Sequence, residues 1–163
     1  MKAKPSNRAP RAGRPNIPEY GIATGTKGLL PWTWATKQLG TSRQYWFVSV
    51  RPDRSPHVMP VWGVWFEDRF YFSTGAKTRK ARNLAKNSHC IVCSEQADQA
   101  AIVEGTAKVL KDAADLKKVY AVYKKKYKMD VSGMGSPMFV VEPRVAFGLI
   151  EKKFPTTATR WKF

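Results

Sequence analysis

From Ser73 to Arg82 the chain reads Ser-Thr-Gly-Ala-Lys-Thr-Arg-Lys-Ala-Arg, which gathers hydroxyls and cations into one short span. The stretch follows an aromatic strand-like segment and opens a helix-like one. A helix start carries positive dipole character, so Lys77, Arg79, Lys80 and Arg82 repel it and one another unless an anion is bound. Phosphate suits the group: Ser73, Thr74 and Thr78 supply hydroxyls, and Arg79 and Lys80 supply charged, directional donors. A solvated basic helix is the plainer alternative.

Other reactive side chains are sparse. His57 and His89 are the two histidines of the chain, and neither stands beside a convincing nucleophile. His57, at a strand start, reads as a structural histidine. Cys90 and Cys93 form a nominal C-x-x-C, but residues three apart on a strand point to opposite faces, so free thiols are expected rather than a metal pair or a disulfide. No catalytic residue and no metal site is assigned.

A second unusual segment is Val58-Met59-Pro60-Val61-Trp62-Gly63. Pro60 cannot donate to a strand ladder and Gly63 has no side chain to pack, which suits a sheet edge or a bound ligand, or else a bulge in an aromatic core. Trp32, Trp34, Trp62, Trp65 and Trp161 suit either a flat apolar cleft or the core itself.

Short strands and tight turns position these residues. A helix is expected from Pro31 to about Gly40. Strands follow at Tyr45–Arg51, His57–Phe66 and Arg69–Ser73, joined by turns at Pro52–Ser55 and Glu67–Asp68. The basic block then leads into a helix over 78–86. His89–Glu95 and Ala100–Leu110 read as strands, and Asp112 caps an amphipathic helix carrying Leu116, Tyr120, Tyr123 and Tyr127. After a loop over 128–137, strands at 138–142 and 144–151 are separated by Pro143. Hairpins this tight exclude a parallel nucleotide-binding fold and predict a small, mainly β antiparallel barrel.

The 163 residues, 43% hydrophobic, suit one compact domain. Residues 1–28 read as a flexible or wrapping basic arm, and 29–163 as the folded domain. Nothing approaches the roughly 18 apolar residues of a membrane helix, and no apolar run follows the basic N-terminus, so a cytoplasmic protein without a membrane role is expected. The net charge of +17 makes polyanions natural partners. Much of it is peripheral, in the arm and in the lysines between Lys108 and Lys128.

His57-Val-Met-Pro-Val-Trp, Tyr71-Phe-Ser-Thr-Gly, Thr78-Arg-Lys-Ala-Arg-Asn-Leu and the closing Ala158-Thr-Arg-Trp-Lys-Phe, in that order, resemble the pyridoxamine 5′-phosphate oxidase-like, FMN-binding split-barrel family. The resemblance runs from about residue 30 to the end. It implies a six-stranded Greek-key split barrel that forms a homodimer, with a cofactor in each of two clefts between subunits. It places the phosphate on Ser73, Thr74, Thr78, Arg79 and Lys80, with Lys77 beside them. It lays Val58, Met59, Pro60, Val61 and Trp62 along the ring system and has Arg160 and Trp161 close the pocket. The vitamin B6 phosphate oxidases carry an arginine and a lysine on the second strand, where this chain has Val58 and Gly63, and their Arg-Leu-x-Pro terminus is absent. The resemblance is therefore to the broader group using FMN or the deazaflavin coenzyme F-420.

These readings together predict a flavin-type oxidoreductase acting on a small molecule, with hydride chemistry supplied by the cofactor. Two alternatives stand beside it: a non-catalytic flavin or tetrapyrrole carrier of the same fold, and a basic nucleic-acid-binding protein.

Overall fold

The computed structural model describes residues 9–163. Nine antiparallel strands form one sheet system: β1 (Arg11–Gly13), β2 (Tyr45–Val50), β3 (Pro56–Val61), β4 (Val64–Phe66), β5 (Arg69–Ser73), β6 (His89–Ser94), β7 (Gln99–Val109), β8 (Met138–Ile150) and β9 (Thr159–Lys162). Helices α1 (Trp32–Thr41), α2 (Arg79–Lys86), α3 (Ala113–Tyr127) and α4 (Phe154–Thr157) are inserted between them. The main path runs β1-β9-β8-β7-β6-β2-β3, while β5 pairs with both β4 and β8. This is the expected mainly β, split-barrel architecture, with more strands than the six anticipated.

Three local features separate these strands from the spans read in the sequence: one expected strand divides, two merge into one, and two short ones are added. The expected strand over 57–66 breaks at Trp62-Gly63, where the Gly63 N–H and carbonyl bond the side chains of Tyr127 and Lys126, and a Cβ at Gly63 would stand 2.1 Å from the Phe70 ring. The break at Pro143 does not occur: β8 runs through it, and a register shift at Glu104/Gly105 of β7 absorbs the missing donor. Short β1 and β9, without a readable period, pair with each other from Arg11↔Lys162 to Gly13↔Arg160.

That last pairing bears on the arm expected to be flexible or wrapping over 1–28, whose first eight residues lie outside the described ones. From Arg11 the arm is laid against the barrel. The Arg14 guanidinium donates to the carbonyls of Lys27 (2.5 Å), Thr156 (2.8 Å), Gly25 (3.0 Å) and Ala158 (3.1 Å). One planar side chain thus satisfies four carbonyls, two in the arm and two at the end of α4, holding a segment with little apolar surface of its own.

Two apolar clusters fill the interior. The larger joins α1, α2 and the inner faces of the strands through Phe47, Phe70, Phe72, Val92, Val103 and Trp161. The smaller sits under α3 and contains Val64, Tyr71, Val119, Tyr123, Tyr127 and Val140. Strand β5 lies between them, with Phe70 and Phe72 facing one and Tyr71 the other, which explains its unbroken aromatic run. Trp32 packs at the margin of the larger cluster: it meets Trp161 at 5.3 Å, Phe163 at 5.1 Å and Trp65 at 5.9 Å, and its Nε1 donates to Asp68 at 3.0 Å. Among the described residues, no helix is long and apolar enough to cross a membrane.

Candidate functional site

The start of α2 is built by its hydroxyls. Thr78 is the N-cap, with extended backbone, and its Oγ1 accepts from Ala81 N–H at 3.3 Å. Thr74 and Thr78 hydroxyls lie 3.1 Å apart. One of them donates to the other, so one hydroxyl proton of the pair is left for a ligand. The Ser73 hydroxyl donates instead to Pro137 O at 3.3 Å, and Thr74 N–H to the same carbonyl at 3.4 Å, which ties the turn to the start of β8. The amides of Arg79 and Lys80, at the first two helical positions, have no acceptor within the helix.

The charges of this turn are uncompensated by protein. Its first turn holds no acid. Among the described residues, ion pairs form at Lys108–Glu142, Lys118–Glu67 and Lys124–Asp130, all on other elements. Lys77 and Arg79 are exposed, while Lys80 is partly buried and its ammonium is pushed below the usual lysine range by that burial. Two free amides, a spare hydroxyl proton and unpaired cations fit a phosphate group.

Strand β3 ends the sheet path and pairs with β2, the strand that α2 packs against. Its inward row is His57, Met59 and Val61, facing Ser49, Phe47 and Tyr45 of β2 in register. Val61 is buried, whereas Met59 remains 44% exposed on the same row, so the barrel is open toward the His57 end. Val58 and Pro60 point to the outer face with Trp46 and Val48 of β2, and Val58 is 51% exposed. Helix α2 is fixed over β2 by Asn83, buried within the core, whose Nδ2 donates to Ser49 Oγ at 3.0 Å.

Sequence reasoning passed over two residues here. His57 lies beneath α2, electrostatically coupled to Arg79, Lys80 and Arg51, and its shielded Nδ1 has no partner. Asn83 Oδ1 is likewise buried and unpartnered. The available signal was the spacing of Asn83, three residues after Lys80 and next to Leu84: it puts an amide on the helix face that must be buried.

Three expected pocket residues stand away from the α2 turn within one chain. Trp161 is 1% exposed and packed against Trp32 and Gly148 of its own chain, so it cannot close a pocket without leaving the core. Arg160, its partly exposed neighbour on β9, pairs with Phe147 and Gly13 rather than lying at the α2 turn. Trp62 follows the end of β3 and stacks on Tyr127 at 4.6 Å and 5°, with the Arg43 guanidinium 6.0 Å from its ring centre. That corner is a structural latch. Tyr123 donates to Trp62 O at 2.7 Å, and Lys126 Nζ donates to Gly63 O at 2.9 Å and to Tyr45 Oη at 2.7 Å. Partial burial brings the Lys126 ammonium down to about 8.

A groove of about 450 Å³ lies on the other face of β2, lined by Val48, Val50, His89, Ile91 and Arg144 among others. It is not the α2 turn, since Val48 and Val50 alternate with inward-facing Ser49. Cys90 is buried and Cys93 half-buried, both free, and burial pushes the Cys90 thiol up to about 12. Among the described residues no group of His, Cys, Asp and Glu is placed to hold a metal.

The family described as pyridoxamine 5′-phosphate oxidase matches residues 35–152. The chain belongs to that family. Solved structures agree on the fold of this family member. A conserved hypothetical protein from Mycobacterium tuberculosis superposes with a TM-score of 0.68 at 16% identity, covering 81% of this chain and 92% of its own. An F420 reductase gives 0.55 at 21% identity, covering 68% and 93%. The heme storage protein HutZ from Vibrio cholerae gives 0.58 at 14% identity, covering 69% and 87%. No curated protein matches the chain.

Proposed function

We propose that this chain is a homodimeric oxidoreductase that holds a flavin-type cofactor, FMN or the deazaflavin coenzyme F-420, with its phosphate on the first turn of α2. The observation that carries the reading is that turn: the Thr74–Thr78 pair leaves one hydroxyl proton free, and the first-turn amides and charges of Arg79 and Lys80 have no acid beside them, next to the partly exposed strand β3. Lys77 adds charge at the rim, and Ser73 holds the turn against Pro137. Met59 and the β3 backbone at Val58, Pro60 and Val61 form the wall for the ring system, and partly exposed Arg160 is the terminal residue available to close the pocket from a partner.

When bound, the cofactor supplies the hydride chemistry, and the protein supplies retention, orientation and exclusion of water. The substrate is a small molecule. Vitamin B6 phosphate oxidase activity is not expected, because Val58 and Gly63 offer no cationic side chain to a second phosphate. The outer face of β2 and β3, with Trp46 at 50% and Val58 at 51% exposure, supports a second copy as its cover.

The visible spectrum of the purified protein tests this reading, followed by mass spectrometry of the molecule released on denaturation. FMN or the deazaflavin is expected; a heme spectrum would favour the carrier alternative. Replacing Arg79 and Lys80 together by Glu is expected to abolish retention, and unchanged affinity would overturn the site.

A further inference from the structure

Beneath α2 two unpartnered polar atoms belong to residues joined by the same serine. Asn83 bonds the Ser49 hydroxyl, and Ser49 stands directly opposite His57 in the β2–β3 ladder. Asn83 is 0% exposed, yet its Oδ1 has no partner; the His57 ring is partly exposed, yet its Nδ1 is shielded and has none. Leaving a buried polar atom unpaired costs on the order of 1–3 kcal/mol. Two such atoms, one on the helix that opens with the cationic turn and one on the strand coupled to its charges, indicate a site finished by something that binds there.

We propose that His57 is a proton-accepting member of the α2 anion site, protonated when a phosphate monoester dianion binds, so that the site favours a terminal phosphate over a phosphodiester. The proposal rests on the cofactor reading above and narrows it: FMN ends in a monoester, whereas the phosphate of F-420 is a diester.

The charges around the ring give the direction. Arg51 faces His57 from the end of β2, and Arg79 and Lys80 face it from α2. On its own strand, Pro56, Val58 and Met59 contribute no charge. In the turn before it, the Asp53 carboxylate is bonded to Ser55 N–H and Oγ at 2.9 and 2.6 Å. Burial first, then these three cations, hold the imidazolium below its ordinary range. A dianion on Arg79 and Lys80 reverses the local potential and favours the charged ring. A monoester supplies close to two negative charges at neutral pH and a diester one, so the dianion shifts the histidine further. By linkage, binding then takes up a proton, and affinity for a dianion rises as pH falls toward 6.

NMR titration of the two imidazoles in the whole protein tests this, with His89 as internal reference and 10 mM sulfate, a dianion that does not itself titrate near neutrality, or dimethyl phosphate as probes. Sulfate is expected to raise the His57 midpoint by about one pH unit, a tenfold linkage, leaving His89 unmoved, with dimethyl phosphate giving a smaller rise. Calorimetry of FMN binding at pH 7 in two buffers of different ionisation enthalpy should show proton uptake that is lost in His57→Gln. FMN binding with no uptake and an unmoved His57 overturns the proposal and leaves the flavin reading standing. Failure of wild type to bind either FMN or F-420 at any pH removes the flavin reading itself. Should His57→Gln not fold, the wild-type titration alone decides.

Discussion

Asn83 donates its side-chain amide to the Ser49 hydroxyl at 3.0 Å, a bond in the interior that fixes α2, and with it the Thr78-Arg79-Lys80 turn, over β2. Both residues are fully buried. The bond is therefore the local tie between the sheet and the anion site.

Ser49→Ala leaves the Asn83 amide buried without an acceptor and is expected to lower stability by about 1–3 kcal/mol. Urea denaturation measures this. A change below half a kcal/mol would mean the bond does not hold α2 in place. Cofactor affinity should fall alongside, since the first turn loses its support.

At Gly63 an added Cβ would stand 2.1 Å from Phe70 Cζ and 2.9 Å from Tyr71 O. The ring belongs to the packed core and the oxygen to the backbone, so neither yields cheaply. Gly63→Ala is expected to cost about 1–3 kcal/mol or more, read as a lowered thermal midpoint. Gly40→Ala, with open space around it, serves as the control.

Lys126 predicts a pH dependence. Its folded-state value, about 8, lies below the ordinary 10.5, so between those limits the unfolded chain holds a proton that the folded chain has lost. Stability contributed through this group therefore rises with pH from 8 to 10.5. Tyr45 and Cys90, both shifted upward by burial, act in the opposite sense at high pH, so the comparison must be internal. Wild type is expected to gain stability relative to Lys126→Gln across that window. Competitive acetylation should also give Lys126 a midpoint near 8.

The exposed Trp46 and Val58 predict an assembly. Sedimentation of wild type should give a species of twice 18.4 kDa. Trp46→Glu combined with Val58→Asp should give the monomer with an unchanged circular dichroism spectrum. A dimer that survives both changes would place the subunit contact on another face.

Much of the positioning scaffold was legible in the sequence because it is local. The Glu67-Asp68 turn, with φ of 48° and 55°, is a two-residue hairpin turn whose polar residues announced it. The span expected for α2, 78–86, coincides with its cap and body, since Thr78 and the basic run mark them. What escaped depended on distant neighbours. Pro143 looks like a strand break until Gly105 is found across from it at a register shift. Trp161 sits beside a charged neighbour near the terminus, and only its partners Trp32 and Gly148 reveal it as core. His57 reads as structural in the sequence because the charges coupled to it come from α2, more than twenty positions later.

Strand β8 pairs with β7 along most of its length, with β5 near its start and with β9 near its end. A single strut therefore belongs to both halves of the barrel. Its contacts reach back to Arg69–Ser73 and forward to the terminus, so neither half can close before residues far apart in the chain have met. Folding should be slow for a protein of this size, on the millisecond-to-second scale of high-contact-order β domains. It should also be all-or-none, with the two apolar clusters appearing together in one kinetic phase.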